Sequence, residues 1–308
     1  MDELDIRIVR ELTHGRNVGL AWGELNPSYG GIGTKLGVSR ETVRERVEKM
    51  SKSGFLKVFP VQVNPALFGL KMGALSVDLP QAAQKTKLLK ELSLLDGVIL
   101  VATHLSGMIG VSFYYEDERA LEKKISLIAS ICGAVKTRFT TIPFPPCSVA
   151  LSARDWQIVA ALQRRRIGPA GEIARELGIS TRTLKRRTKR MIDGMAISTI
   201  VSSDSGALRG GVIGNLQVEY NSPKTRPETD RRLLQELDRQ IIYFGLWSGF
   251  GLFTLVLPSI RAVAEVLDKV RVTKGVAQAR LDLIEERVEV YSTLSEPVER
   301  RTQSQPLK

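Results

Sequence analysis

The densest chemistry in this chain is cationic. Between Ser180 and Met191 stand Arg182, Lys185, Arg186, Arg187, Lys189 and Arg190, with no acid among them. Such groups catalyse nothing by themselves. A row of them binds anions, and on one helix it suits a polyanion such as a nucleic-acid backbone. The competing reading is a solvated helix face, which ordinarily alternates acids with bases. Residues for other chemistry are scarce. His14, His104, Cys132 and Cys147 are the whole stock of histidine and cysteine. They form no CxxC pair and no zinc-binding spacing, so no metal site is expected and the thiols read as inert. "SYGGIGTK" (28–35) lacks the GxxxxGK[ST] spacing of a phosphate loop and follows no strand. Without a nucleophile–base constellation or a cofactor fingerprint, the sequence predicts no catalytic residues, no cofactor and no enzyme.

The net charge is +12 over 308 residues, and a basic excess of this kind favours polyanionic partners. That length suits about two domains or more. Residues 97–115 and 241–258 contain no Asp, Glu, Lys or Arg. Each has an internal Ser-Gly and many β-branched and aromatic residues, so each reads as a strand hairpin and not as a membrane span. The opening "MDELDIRIVRELTHG" lacks the apolar core of a signal peptide. A cytoplasmic, nucleoid-associated protein is expected.

The basic segment has an echo. "IGTKLGVSRETVRERVEKM" (32–50) aligns with "IARELGISTRTLKRRTKRM" (173–191) at a constant offset of 141, with seven of 19 positions identical. The identities are Ile32/Ile173, Leu36/Leu177, Gly37/Gly178, Ser39/Ser180, Thr42/Thr183, Arg46/Arg187 and Met50/Met191. Upstream, Asp5 and Asp155 correspond. Downstream, Ser106-Gly107 matches Ser248-Gly249, and Arg138 matches Arg280. The chain is therefore one unit of roughly 145 residues, duplicated; a period this long means tandem domains and not a solenoid.

Each unit opens with helices. Ser39 and Ser180 stand where N-caps belong, after turn glycines Gly37 and Gly178. The small residue four positions earlier, Gly33 or Ala174, allows two helices to cross closely. Val43, Val47 and Met50 make the buried stripe of the third helix; Leu184, Thr188 and Met191 repeat it. The exposed face then holds Arg40, Glu41, Arg44, Glu45 and Glu48 in the first copy, and Thr181, Arg182, Lys185, Arg186 and Lys189 in the second. The first face alternates sign; the second has exchanged its acids for bases, which favours nucleic acid over a solvated face. This is the pattern of a helix-turn-helix entering the major groove. Arg46, Arg187 and Arg190 are expected to join the DNA contacts, with Arg164, Arg165 and Arg166 on flanking phosphates. Segments 54–63 and 194–203 follow as short strands in the place of a wing. Each unit closes with strand and helix in the order βαββαβ, a ferredoxin-like layout.

The expected fold class is therefore α+β: a winged helix-turn-helix (1–64), a ferredoxin-like domain (65–142), a linker (143–150), a second winged helix-turn-helix (151–205), a second ferredoxin-like domain (206–291) and a disordered polar tail (292–308). Residues 13–31 are longer than their counterpart and read as an insertion.

This order of elements, with "LDIRIVREL", "LGVSRETVRERVEKM" and "SGFLKVFPVQVNPALFGL", resembles the Lrp/AsnC family of transcriptional regulators. The resemblance covers the whole chain twice, and it is looser in the second copy, which lacks the Asn64-Pro65-Gly69 step. It implies double-stranded DNA as partner through the winged helices. It also implies pairing, and often amino-acid sensing, through the ferredoxin-like domains. Family members are normally single units that dimerise, whereas two are fused here. The effector turn is represented by Ser106, Gly107 and Gly110, and by Ser248, Gly249 and Gly251. The acid that would hold an amino group is missing, so a small-molecule effector is expected without commitment to an amino acid. Siroheme decarboxylases are built on the same architecture, which makes such an enzyme the alternative. The two ferredoxin-like halves are expected to form an intrachain pseudo-dimer, with Phe113 and Leu255 at its seam and room for further self-association.

Overall fold

The computed structural model describes residues 1–12, 28–56, 61–80, 83–165, 170–199, 203–247, 249–290 and 293–303. The insertion at 13–31 falls mostly outside them. The first copy runs α1 (Glu3–Leu12), α2 (Tyr29–Leu36), α3 (Arg40–Lys52), β1 (Val61–Val63), β2 (Lys71–Asp78), α4 (Lys85–Ser93), β3 (Val98–His104), β4 (Met108–Tyr115), α5 (Glu118–Cys132) and β5 (Lys136–Ile142). The second repeats that order as α6 (Ala153–Arg165), α7 (Ala170–Glu176), α8 (Thr181–Asp193), β6 (Ile197–Thr199), β7 (Val212–Tyr220), α9 (Arg226–Glu236), β8 (Ile241–Trp247), β9 (Phe250–Leu257), α10 (Ile260–Arg271) and β10 (Val276–Glu289). Both uncharged stretches are strand hairpins, β3–β4 and β8–β9. Among the described residues no helix is long and apolar enough to cross a membrane.

The helix-turn-helix turns form for the reasons the sequence supplies. Gly37 and Gly178 take left-handed φ values of 71° and 61°, which a residue with a Cβ adopts only at a cost. A Cβ on Gly33 would lie 2.6 Å from the Val38 carbonyl oxygen, so only glycine fits that crossing. The Ser39 and Ser180 hydroxyls accept from the backbone N–H of Thr42 and Thr183 at 3.0 and 3.1 Å and start α3 and α8.

The two ferredoxin-like halves form one eight-stranded sheet of order β5-β2-β4-β3-β10-β7-β9-β8. The halves are joined where the C-terminal part of β10 pairs antiparallel with β3, from Ile284 opposite His104 to Glu289 opposite Leu100. The related junction, β5 with β8, is not hydrogen-bonded, although these two free edges approach each other. The reason lies in the linker. The residues that would continue β5 as β10 continues are Pro143, Phe144, Pro145 and Pro146, and proline offers no N–H to a ladder. Helices α4 and α5 cover the outer face of one half, and α9 and α10 that of the other. Phe113 and Leu255 are fully buried in these outer cores, on the helix side of the sheet, and not at the seam expected for them. Strand alternation decides this: Ser112 and Thr254, their neighbours, face inward.

The helix-turn-helix units are exchanged. Ile8, Val9 and Leu12 pack with Ile213, Ile242, Tyr243 and Val256 of the second half. Trp156 and Ile158 pack with Met72, Tyr114 and Ile142 of the first. In the segments expected as wings the two described strands pair with each other and not within one unit: β1 pairs with β6, Val61 opposite Thr199 and Val63 opposite Ile197. Buried Asn64 closes this crossing. Its Nδ2 donates to the Pro145 and Met195 carbonyls at 3.0 and 2.8 Å, and its Oδ1 accepts from Ala66 N–H.

The tail is a second correction. Residues Ser295–Gln303 form a helix, α11, that packs on α6 with Leu294 and Val298 buried in the Trp156 core. Composition suggested disorder because the segment is polar, but two apolar residues four apart are enough to dock one helical face, and Pro297 sits in the first turn, where its missing N–H costs nothing.

Candidate nucleic-acid interface and the chamber between the halves

Helix α8 divides its cations into two sets. Arg182, Lys185 and Arg186 are exposed and make no ion pair among the described residues. Thr181 is exposed beside them, and Lys189 pairs with Asp193 one turn on, both well solvated. Arg187 and Arg190 behave differently. They donate to the two carboxylate oxygens of Asp155 at 3.0 and 2.6 Å, and Asp155 is fully buried. Burial raises the Asp155 pKa, but hydrogen bonds from Ser152 and Arg187 and the charge of Arg190 outweigh it and hold the carboxyl below its usual range. The first copy has the same clamp: Arg46 donates to Asp2 and, at 3.1 Å, to Asp5 on α1. Arg46, Arg187 and Arg190, expected on DNA, are thus structural ties between the first and third helices. Of the α3 residues expected on DNA, Arg40, Glu41, Arg44 and Glu45 remain exposed, with Arg44 3.6 Å from Glu48. Arg164 is paired with Glu176 at 2.9 Å; the Arg165 side chain and Arg166 lie outside the described residues.

The effector-turn residues separate too. Gly107 and Gly249 make the hairpin turns at φ 85° and 92°. Gly251 lies against Tyr220, whose hydroxyl would be 2.1 Å from an added Cβ. Ser248 lies outside the described residues. Ser106 donates to Asp282 Oδ2 at 2.6 Å, and Asp282 belongs to the other half. A carboxylate thus stands beside the hairpin from across the β3–β10 junction, where no local sequence signal could reveal it. Among the described members of the set, Gly110 alone lines a cavity of about 570 Å³ between the inner faces of the two half-sheets.

That chamber is unequal. At pseudo-equivalent positions the first half presents Ala74, Ser76 and Gly110 where the second presents Asn215, Gln217 and Leu252. His104, 3% exposed, also lines it, and its Nδ1 is buried with no hydrogen-bond partner among the described residues, 4.0 Å from Asp282. Burial holds the imidazole below its usual pKa against the opposing pull of Asp282. Arg280 reaches across from β10 to within 3.9 Å of Met108 Sδ on β4. Among the described residues no group of three His, Cys, Asp or Glu could hold a metal ion. Cys132 is buried, which lifts its thiol pKa to about 11.

No protein-family model matches the sequence. Over 149 residues the chain is 31% identical to an uncharacterized HTH-type transcriptional regulator of Pyrococcus furiosus, covering 46% of this chain and 93% of that protein. Over 75 residues it is 31% identical to the HTH-type transcriptional regulator Ptr1 of Methanocaldococcus jannaschii, covering 24% of this chain and less than half, 45%, of that one. Among solved structures, the siroheme decarboxylase NirDL superposes with a TM-score of 0.57 at 10% identity over 97% of this chain and 99% of its own. The expectation that the chain is no enzyme does not survive this match: the complete tandem architecture is that of an enzyme, so the fold and the lack of a familiar catalytic constellation exclude nothing. By the regulator it matches almost end to end, the chain belongs to the Lrp/AsnC family of helix-turn-helix transcriptional regulators, as a fused pair of units.

Proposed function

We propose that the protein is a transcriptional regulator that binds duplex DNA sequence-specifically through α8 and α3, in the cytoplasm on the nucleoid. The observation that carries this is the exposed cation set on α8. Arg182, Lys185 and Arg186 have no partner among the described residues, on the helix that follows the turn of a helix-turn-helix. Like charges four apart, Arg182 with Arg186 and Lys185 with Lys189, cost a few tenths of a kcal/mol per pair in a free helix. A polyanion turns that cost into binding energy. Helix α3 would read bases with Arg40, Glu41, Arg44 and Glu45, where a carboxylate accepts from a cytosine amino group. The two exposed faces differ at nearly every position, so the preferred site has two unlike halves. Selection from a random duplex library tests this. A perfect palindrome as the best site would refute recognition by one chain.

The full-length likeness to NirDL favours a second reading, an enzyme acting on a tetrapyrrole within the same scaffold. That structure is also known with an iron-uroporphyrin III analogue. A shift in the uroporphyrin absorbance bands on adding the protein would support this reading, and unchanged bands would remove it.

A further inference from the structure

We infer that Arg287 is the positioning residue of the first helix-turn-helix: it fixes α3 against the sheet and so sets the spacing at which the two recognition helices meet their half-sites. The spacing rests on the regulator reading above; the hold on α3 stands without it. The chain crosses itself at two related points beneath the helix-turn-helix units. Asn64 and Asp204 occupy matching places there. Each side chain accepts the N–H two residues on, and each backbone N–H donates to the carbonyl just beyond a third helix, Ala196 after α8 and Phe55 after α3. The crossing under α8 is neutral, closed by the Asn64 amide on the Pro145 and Met195 carbonyls. The crossing under α3 is ionic. Counting from the related Arg138 and Arg280, Arg287 takes on β10 the place that Pro145 takes in the linker.

The Arg287 Nε donates to the Ser203 carbonyl at 2.9 Å, and its Nη2 donates to the Ser203 hydroxyl at 2.8 Å. Nη2 also stands 2.8 Å from Glu289 Oε1, and the Tyr243 hydroxyl on β8 lies 3.3 Å from Ser203 Oγ. Ser203 bridges Leu56, whose N–H returns to the Met50 carbonyl inside α3. Ser203 and Leu56 are thus the links between the guanidinium and the recognition helix. The side chains of Arg287 and Glu289 are 7% and 12% exposed, and Glu289 Oε2 has no hydrogen-bond partner among the described residues. A buried pair left partly unsatisfied is a poor source of stability, because taking two charges out of water costs about what their attraction returns. What it supplies is geometry. A guanidinium fork fixes direction as well as distance, here to both Ser203 oxygens. The apolar packing of α1 on the second half carries no such direction. Arg287 also borders the chamber, but Nε and Nη2 are spent on Ser203 and Glu289.

Hydrogen–deuterium exchange of the full chain is the first test. The variant Arg287→Met/Glu289→Leu puts an apolar pair of similar volume in place of the ions, a change that buried pairs often tolerate. In it the Leu56 and Asp204 N–H groups should exchange about tenfold faster, while those of Ala196 and Asn64 at the other crossing keep the parent rate. Arg287→Lys keeps the charge beside Glu289 but lacks the fork, and should give the same pattern. Rescue by lysine, unchanged exchange at Leu56 and Asp204, or an equal rise at Ala196 and Asn64 would overturn the assignment. The second test is spacing. On a duplex selected by the parent, two base pairs inserted between the halves turn one by about 70° relative to the other. Parent affinity should then fall on the order of tenfold, and that of either variant by less than about threefold. A variant as sensitive to the insertion as the parent would overturn the role in spacing. A parent that selects no duplex would refute the regulator reading and with it the spacing, while the exchange result still decides the hold on α3.

Discussion

The division of cations on α8 makes a quantitative prediction. In the variant Arg182→Ala/Lys185→Ala/Arg186→Ala, three exposed groups without ion-pair partners are removed. If each meets one phosphate, the slope of log K against log salt flattens by about 0.9 per contact, or roughly 2.7 in all. Between 50 and 200 mM salt the parent should therefore lose on the order of 40-fold more affinity than the variant. Stability should barely move, since exposed substitutions usually stay within about 0.5 kcal/mol each, and two like-charge neighbours are relieved. Arg187→Ala should show the opposite signature. Its guanidinium is spent on buried Asp155, so it should cost stability and leave the slope almost unchanged. Fluorescence anisotropy on a selected duplex at four salt concentrations, with thermal melts of each variant, measures both. If the triple variant keeps the parent slope with its fold intact, or Arg187→Ala flattens the slope equally, the division of roles is wrong.

Asp155→Asn should destabilise by about 2–3 kcal/mol, toward the low end for a broken buried ion pair because Arg187 and Arg190 are 32% and 48% exposed and can be rehydrated; a melting temperature within a degree of the parent would refute the clamp. The lowered Asp155 pKa stabilises the fold above the unfolded carboxyl value of about 3.9, and this contribution should vanish as pH falls through the depressed folded value, visible as an acid limb that Asp155→Asn lacks. His104 works at milder pH: the unfolded chain takes up its proton near pH 6.5 and the folded chain resists, so stability should decline below that pH, and His104→Gln should flatten this part of the profile. Val298→Asp should detach α11 from α6, read as faster proteolysis of the C-terminal segment; protease resistance equal to the parent would show that the packing of α11 does not hold it.

The sequence by itself determined the repeat, the order of elements in each copy, and which helix carries the charge. All three are local properties: helical and strand periodicity, turn glycines and N-cap serines act within a few residues, and Gly37, Gly178, Ser39 and Ser180 do in the structure what their types require. The seven identities between the copies also had a meaning that only the structure disclosed. Ile32/Ile173 and Met50/Met191 are core, Gly37/Gly178 and Ser39/Ser180 shape the turn, and Arg46/Arg187 reaches an aspartate on the first helix. What the copies share is scaffold: Arg46 and Arg187, which charge alone places with the DNA contacts, also tie the third helix to the first. Tertiary structure decided everything that depends on which strand lies beside which. The pairing of β3 with β10 brings Asp282 to Ser106, a separation of 176 residues that no spacing rule spans. The crossing of β1 over β6 sends each helix-turn-helix to the other half's sheet, and alternation on the curled sheet put Phe113 and Leu255 outward and left the chamber to Ser76 and Gly110. A strand's pattern states that two faces differ; what each face meets is set by the partner strands and helices, through backbone hydrogen bonds that carry no side-chain signature.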